Sequence, residues 1–212
     1  MKAILNHIVT KLVAPLGIAV LSAAPSFSQC PTGYVLSGTE AVSNGNFSSG
    51  NASFTNDFIY VAENPDVDDE LWAEGTYSVC SNSSAVHHNW NPCTGLGGSG
   101  NFLMVNGNTA TNKSVWRQTV TVVPETVYYF TLWITSVHPK NPARLEFSVN
   151  GTRLSSNITA SATTGRWREF YATWNSGSNT SADISINNCN ARAHGNDFGL
   201  DNISFAPCSK NP

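Results

Sequence analysis

Alternation of apolar and polar side chains is the dominant pattern of this chain. The run Tyr128-Tyr129-Phe130-Thr131-Leu132-Trp133-Ile134-Thr135 puts Tyr128, Phe130, Leu132 and Ile134 on one uniformly apolar face, the two-residue period of a strand with one side against a core. Its other face carries Trp133, a ring that a covering loop would shield. Residues 144–149 alternate as cleanly and run into Asn150-Gly151, a two-residue turn signal that predicts a hairpin back through Thr152-Arg153-Leu154. Residues 168–174 and 183–187 repeat the pattern, and the first of these stops at Asn175-Ser176-Gly177. Further strands are predicted at 102–105 before Asn106-Gly107, at 115–123 before Pro124, and at 198–205. Helical periodicity is nearly absent. Short strands punctuated by Gly, Asn and Pro turns predict an all-β chain folded as a two-sheet antiparallel β-sandwich, a jelly roll.

Residues 56–100 depart from this rhythm. They lack sustained alternation and exceed an ordinary connection, and long irregular segments in compact domains are functional loops or disorder. Because this one holds Trp72, Tyr77, His87, His88 and Trp90, it reads as an ordered loop. Its aromatics either plug one end of the sandwich or build a binding site. No repeat, linker or charge block divides residues 29–212, which read as one domain.

Composition narrows the possibilities. Charged residues make up only 12 % and hydrophobic ones 41 %, which excludes a disordered chain or a coiled coil. The net charge is −3 and the 11 Lys and Arg are scattered singly, so no basic stripe faces nucleic acid or anionic lipid. At the amino terminus, Lys2 and Lys11, an apolar stretch from Leu12 to Ala24 and the small residues around Phe27 predict a signal peptide over residues 1–28. That stretch is shorter than the ~20 residues of a membrane span, so a secreted, extracellular or periplasmic protein without a membrane span is expected. Anchoring through a lipid-bearing Cys30 is disfavoured, since Phe27-Ser28-Gln29 lacks the aliphatic and small residues that precede one.

Export would expose the five cysteines to oxidation. Cys80 and Cys93 bracket a short loop and are expected to bridge, pinning the 56–100 segment. Cys30 and Cys208 lie just outside the first and last strands, which become neighbours if those strands pair antiparallel; they form the second expected bridge and leave Cys189 unpaired. Zinc is disfavoured, because there is no Cys-x-x-Cys and the adjacent His87 and His88 do not readily aim at one ion.

Enzyme chemistry finds no foothold in the pattern. Gly95-Leu96-Gly97-Gly98-Ser99-Gly100 has no following Lys or helix to cradle a phosphate and reads as a flexible turn. Asp66, Asp68, Asp69 and Glu70 read as a solvated acidic loop. Sugar binding needs aromatic rings for the apolar sugar faces and planar polar groups for the hydroxyls. With Leu145, Phe147 and Val149 inward, parity sends Arg144, Glu146 and Ser148 outward, and it does the same for Asp183, Ser185 and Asn187. Arg117 joins them from a neighbouring strand, while Trp116, Trp167 and Trp174 read as core. The candidate ligand contacts are therefore Arg117, Arg144, Glu146 and Asn187 on a sheet face, with Trp72, Tyr77, His88 and Trp90 at its rim. The alternative is a structural or adhesive extracellular protein with a protein partner, its aromatics serving only the core.

The order of Asn44-Gly45-Asn46-Phe47, the strand Val115-Trp116-Arg117-Gln118-Thr119-Val120 leading to Pro124 and the 128–133 strand, and Gly195-Asn196-Asp197-Phe198-Gly199-Leu200-Asp201-Asn202-Ile203-Ser204-Phe205 resembles the galactose-binding-like jelly rolls. These include calcium-containing carbohydrate-binding modules of secreted bacterial proteins, and the resemblance spans nearly all of residues 36–205. It implies a poly- or oligosaccharide ligand on a concave sheet and its rim loops. It also implies a structural Ca2+ where the first and last strands meet, with Asp201 as carboxylate ligand and the 44–47 turn, Asn46 included, giving oxygens. Ser48 departs from the pattern, since many relatives carry Glu there, and the lost charge weakens the implied site.

Overall fold

The computed structural model describes residue 30 and residues 33–64 and 70–210; the expected signal peptide and the acids Asp66, Asp68 and Asp69 lie outside the described residues. Twelve strands are described: β1 Tyr34–Leu36, β2 Ile59–Tyr60, β3 Thr76–Cys80, β4 Phe102–Val105, β5 Lys113–Thr121, β6 Val127–Ser136, β7 Arg144–Val149, β8 Thr152–Arg153, β9 Ile158–Thr159, β10 Arg168–Asn175, β11 Ser181–Asn188 and β12 Phe198–Lys210. A seven-stranded sheet runs β10-β6-β12-β4-β3-β2, with β1 also paired to β12, and a five-stranded sheet runs β5-β11-β7-β8, with β9 also on β7. All pairings are antiparallel except β2 with β3. Non-sequential neighbours in both sheets are the signature of a jelly roll.

The two sheets meet through the faces that alternation assigned to the core. Phe130, Leu132 and Ile134 of β6 face Leu145, Phe147 and Val149 of β7 and Ile184 and Ile186 of β11 in one cluster of buried residues. Phe130 and Phe147 touch edge to face across the layers, with centroids 4.3 Å apart. The expected hairpin forms, with Val149 opposite Thr152 around Asn150-Gly151. Asn150 and Gly151 both take positive φ, as a two-residue turn of this kind requires.

A second, smaller core lies on the outer side of the seven-stranded sheet. Phe102 and Met104 of β4 and Cys80 of β3 pack there with Leu71, Val86, Trp90, Cys93 and Val137. The chain from 81 to 95 therefore covers β3 and β4, and all five residues of β3 are buried. A strand buried on both faces has no reason to alternate. This is why β3 is hidden inside the segment that sequence pattern reads as irregular.

The cysteines split in two ways. Cys30 and Cys208 form a disulfide at the β1–β12 pairing, where Leu36 stands opposite Cys208. The expected Cys80–Cys93 bridge is not made: both thiols are free and buried, and Cys189 is also free. Register gives the reason. Asn82 bridges Thr94, the Ser83 amide donates to the Cys93 carbonyl at 3.0 Å, and the Cys93 amide donates to Ser83 Oγ at 2.8 Å. Cys93 thus stands opposite Ser83 rather than Cys80, whose sulfur lies 3.8 Å from Met104 Sδ. The loop is closed by hydrogen bonds, and the two thiols serve as small apolar groups.

No helix among the described residues is long and apolar enough to cross a membrane. The Gly95–Gly100 turn is ordered: Leu96–Gly98 forms a 3-10 turn, and the Leu96 amide donates to Asp201 Oδ2 at 2.9 Å.

Candidate functional site

The covering loop builds one wall of a cleft at the rim. After β3, Asn82 caps a 3-10 turn over Ser83–Ala85, its Oδ1 accepting from the Ser84 amide at 3.1 Å. The Leu71 amide then donates to the Val86 carbonyl at 3.1 Å, which brings Trp72 beside the residues that follow Val86. Asn106 Nδ2 donates to the Leu71 carbonyl at 2.5 Å and ties the same segment to the end of β4. The result is a stack of rings: Trp90 on His87 at 4.9 Å and 8°, His87 on Trp72 at 5.3 Å and 14°, and His88 on Trp72 at 5.6 Å and 24°.

The stack runs from buried to exposed. Trp90 is only 3 % exposed, and its Nε1 donates to Asp197 Oδ2 at 3.1 Å. Trp72, at the other end, is 60 % exposed. Large rings on a soluble surface are normally turned inward, so a wide, open and positionally fixed indole is the informative observation here.

The opposite wall comes from the turn after β6 and the turn before β12. The Asn196 amide donates to the Lys140 carbonyl at 3.2 Å, and Asn141 Nδ2 donates to the His194 carbonyl at 3.0 Å, which locks the two turns together. Gly195 makes the approach possible: its φ is +92°, and a Cβ there would stand 2.2 Å from the Lys140 carbonyl oxygen. His138 and His194 lie 5.8 Å apart by ring centroid, and the His194 amide donates to Glu74 Oε1 at 3.1 Å. Between the walls is an open cleft of about 650 Å³, lined among others by Trp72, Glu74, His138, Lys140, His194 and Asp197.

Electrostatics in the cleft follow from burial. Asp197 is pushed up to about 6 by desolvation, with the charge of Glu74 adding to it and the hydrogen bonds from the Gly107 amide and Trp90 opposing it. His138 is held below its ordinary value, first by burial and then by the neighbouring His194 and Lys140.

The sequence candidates are distributed over four places. Trp72, His88 and Trp90 come together in the ring stack, but Trp90 is the buried anchor rather than a surface contact. Tyr77 is turned away: it is 7 % exposed in the main core, packs beside Phe54 and Tyr60, and donates its hydroxyl to Asn51 Oδ1 at 2.9 Å. The cause is that Tyr77 lies on the face of β3 that points into the sandwich. Arg117 and Asn187 line a separate polar groove of about 510 Å³ on the five-stranded sheet. There Arg117 Nη2 pairs with Asp57 Oδ1 at 2.5 Å. Arg144 and Glu146 lie outside both hollows, Arg144 donating to the Cys189 carbonyl at 3.1 Å and Glu146 pairing with Arg153 at 3.2 Å.

A further hollow, about 750 Å³ along the edge between residues 37–43 and β5, is lined mainly by Ser, Thr and Val and offers no exposed ring. Glu74, His138, Lys140, His194 and Asp197 were not singled out from sequence. They come from three segments far apart in the chain, and no spacing rule links them.

The implied calcium ion does not fit the residues named for it. Asp201 Oδ2 accepts from Leu96 and Oδ1 from the Asn202 amide at 2.7 Å, while Asn46 Oδ1 accepts from the Ser48 amide at 3.2 Å and from Ser48 Oγ at 2.9 Å. Asn46 lines a small hollow with Glu40, Asn44, Asn202 and Ser204, and Asp201 does not. Among the described residues no three His, Cys, Asp or Glu side chains group as a metal site.

No family model matches the chain, and no curated protein matches it. Solved structures do. A cyclase from Fischerella sp. TAU is 12 % identical over 82 % of this chain and 98 % of that one, with a TM-score of 0.52. An arabinose-bound α-L-arabinofuranosidase is 12 % identical over 79 % of this chain and 26 % of that one, with a TM-score of 0.51. A family 61 carbohydrate-binding module in complex with β-1,4-galactotriose is 16 % identical over 80 % of this chain and 99 % of that one, with a TM-score of 0.49. The likeness to the first two establishes the fold, and the ligand has to be argued from the site.

Proposed function

We propose that the chain is an exported, non-catalytic carbohydrate-binding module that holds a poly- or oligosaccharide in the rim cleft, with Trp72 as the platform under a sugar ring. The observation that carries this reading is the exposed Trp72 indole, fixed in orientation by its stack on His87 and His88 beside polar side chains. A pyranose presents an apolar face of C–H groups and a rim of hydroxyls. A flat aromatic surface covers the first, and Glu74, Asn106 and Lys140 around the cleft supply hydrogen-bonding partners for the second. The fixed geometry lowers the ordering cost of binding. The Cys30–Cys208 disulfide accords with folding in an oxidising compartment.

The test is a glycan array followed by titration calorimetry with Trp72→Ala. Trp72 is at the surface end of the stack, so the variant should keep its circular dichroism and melting temperature while losing affinity. An aromatic anchor of this kind is worth on the order of 2 kcal/mol, about thirtyfold in Kd. Unchanged affinity in the folded variant refutes the assignment of the site. Failure to bind any saccharide, with capture of a protein partner instead, supports the adhesive alternative, and turnover of a bound glycan overturns the non-catalytic reading.

A further inference from the structure

All four described histidines of the chain, His87, His88, His138 and His194, gather at this one cleft. They arrive from three different loops, since His87 and His88 belong to the ring-stack wall, and His138 and His194 to the two turns of the opposite wall. Resting on the saccharide reading above, we propose that the ligand of the cleft is an anionic saccharide, with its carboxylate or sulfate held by Lys140, His138 and His194 opposite Trp72, and that it binds with uptake of protons.

The charges facing the cleft divide into engaged acids and available cations. Asp197 accepts from Trp90 Nε1 on Oδ2 and from the Gly107 amide on Oδ1, both at 3.1 Å, and Glu74 Oε1 accepts from the His194 amide. Lys140 is exposed and makes no ion pair among the described residues. His194 is exposed, and His138 is half-buried beside it.

Around neutral pH the single cation Lys140 faces two carboxylates in the cleft, Glu74 and Asp197. As the pH falls through about 6, Asp197, pushed up there by burial, takes a proton and its negative charge leaves the cleft. Loss of that charge leaves Lys140 facing Glu74 alone beside the His138 and His194 imidazoles, so the cleft becomes less acidic and more receptive to an anion. Sugar carboxylates and sulfates stay ionised across this range. His138 resists protonation because of burial and the positive charge of His194 and Lys140, and its Nδ1 accepts from the Lys140 amide at 3.2 Å, a bond given up if that nitrogen takes the proton. An anion placed against the pair offsets those effects and draws a proton in, which is the linkage that makes binding and protonation support each other.

The experiment is titration calorimetry at pH 5.0 and 7.5 with three probes: an oligogalacturonate, its fully methyl-esterified neutral counterpart, and a sulfated galactan oligosaccharide. Each is measured in two buffers of different ionisation enthalpy. The expected result is about tenfold tighter binding of a charged probe at pH 5.0, with net proton uptake, and no such pH dependence for the neutral ester. Carboxylate and sulfate are distinguished by which charged probe shows it. His138→Gln with His194→Gln should lower the proton uptake to the part that Asp197 contributes, and Lys140→Gln should weaken the charged probes at both pH values. Equal, pH-independent binding of charged and neutral probes, still lost in Trp72→Ala, overturns the anionic ligand and leaves the saccharide reading standing. No binding of any probe, together with a blank glycan array, overturns both.

Discussion

Replacing Asp197 by Asn should abolish the pH dependence that this residue gives to stability. The carboxyl lies 5 % exposed under the ring stack and is raised from an ordinary 3.8 to about 6, chiefly by burial. Between those values the folded protein binds the proton more tightly than the unfolded chain. The stabilisation is therefore fully present below pH 3.8, declines as the pH rises, and is lost by the time the pH passes 6. A shift of about two units at 1.36 kcal/mol each amounts to ~3 kcal/mol. Asn cannot titrate, and its amide supplies one acceptor oxygen where Trp90 Nε1 and the Gly107 amide require two, so one donor is left unsatisfied at a cost of about 1–3 kcal/mol. Asp197→Asn should thus be less stable than the parent at pH 4, and the gap should close by ~3 kcal/mol by pH 7. Using the difference between the two proteins removes groups that run the other way, such as Asp57. Burial raises that carboxyl, but the Ser114 amide and Arg117 outweigh burial and hold it below the usual range. Urea unfolding at half-unit steps from pH 4 to 7.5 measures the gap. A gap that is constant with pH, or that widens toward pH 7, refutes the account of Asp197 as a buried, costly carboxylate.

The Cys30–Cys208 bridge joins residues 178 apart, and closing so long a loop in the unfolded chain is worth about 5 kcal/mol on a chain-entropy estimate. Cys208→Ser should lower the melting temperature by on the order of 10 °C, and an unchanged melt under non-reducing conditions would contradict this. Thiol counting on the unreduced, denatured protein should find Cys80, Cys93 and Cys189 free. In the native state Cys189 should be alkylated first, because burial pushes Cys80 up to about 12 and Cys93 to about 11 and closes off both. A peptide map with Cys80 bridged to Cys93 would refute the register described for the 81–95 loop.

Legibility in the sequence tracks how many faces of each element are buried. β7 and β11 have one face in the sandwich and one largely toward solvent, so their period of two is written in the residues. β6, largely buried on both faces, still alternates because its outer face carries Tyr129, Thr131, Trp133 and Thr135 against the wholly apolar inner one. β3 is covered on both sides and carries no such signal, and its Tyr77 was read as a rim residue when it belongs to the core. Parity located the outward side of β7 and β11 but not the neighbours each side chain would meet. Glu146 found Arg153 and Arg117 found Asp57, and these pairs depend on the β7–β8 hairpin and on the segment around Thr55 bridging to β5. The spacing of Cys80 and Cys93 permits a bridge, but spacing is silent about register, and register decided the outcome.

The two cores explain why the cleft forms where it does. The main core fixes the sheets and can be built from alternating strands alone. The second core draws residues 81–95 across the outside of β3 and β4, and its buried members Leu71, Val86, Trp90 and Val137 each sit next to a residue of the cleft: Trp72, His87, Asn89 and His138. Apolar burial at one position therefore fixes a polar or aromatic group at the next. At Leu71 and Val86 this is reinforced by a direct backbone hydrogen bond, and at Val137 by hydrogen bonds to Asn91 and Asp197. A surface built this way is held by the same interactions that fold the loop, so its rings do not have to be ordered again when a ligand arrives. That coupling is what distinguishes the rim cleft from the polar groove on the five-stranded sheet, whose side chains are held by polar contacts such as Arg117 to Asp57 and Asp57 to the Ser114 amide.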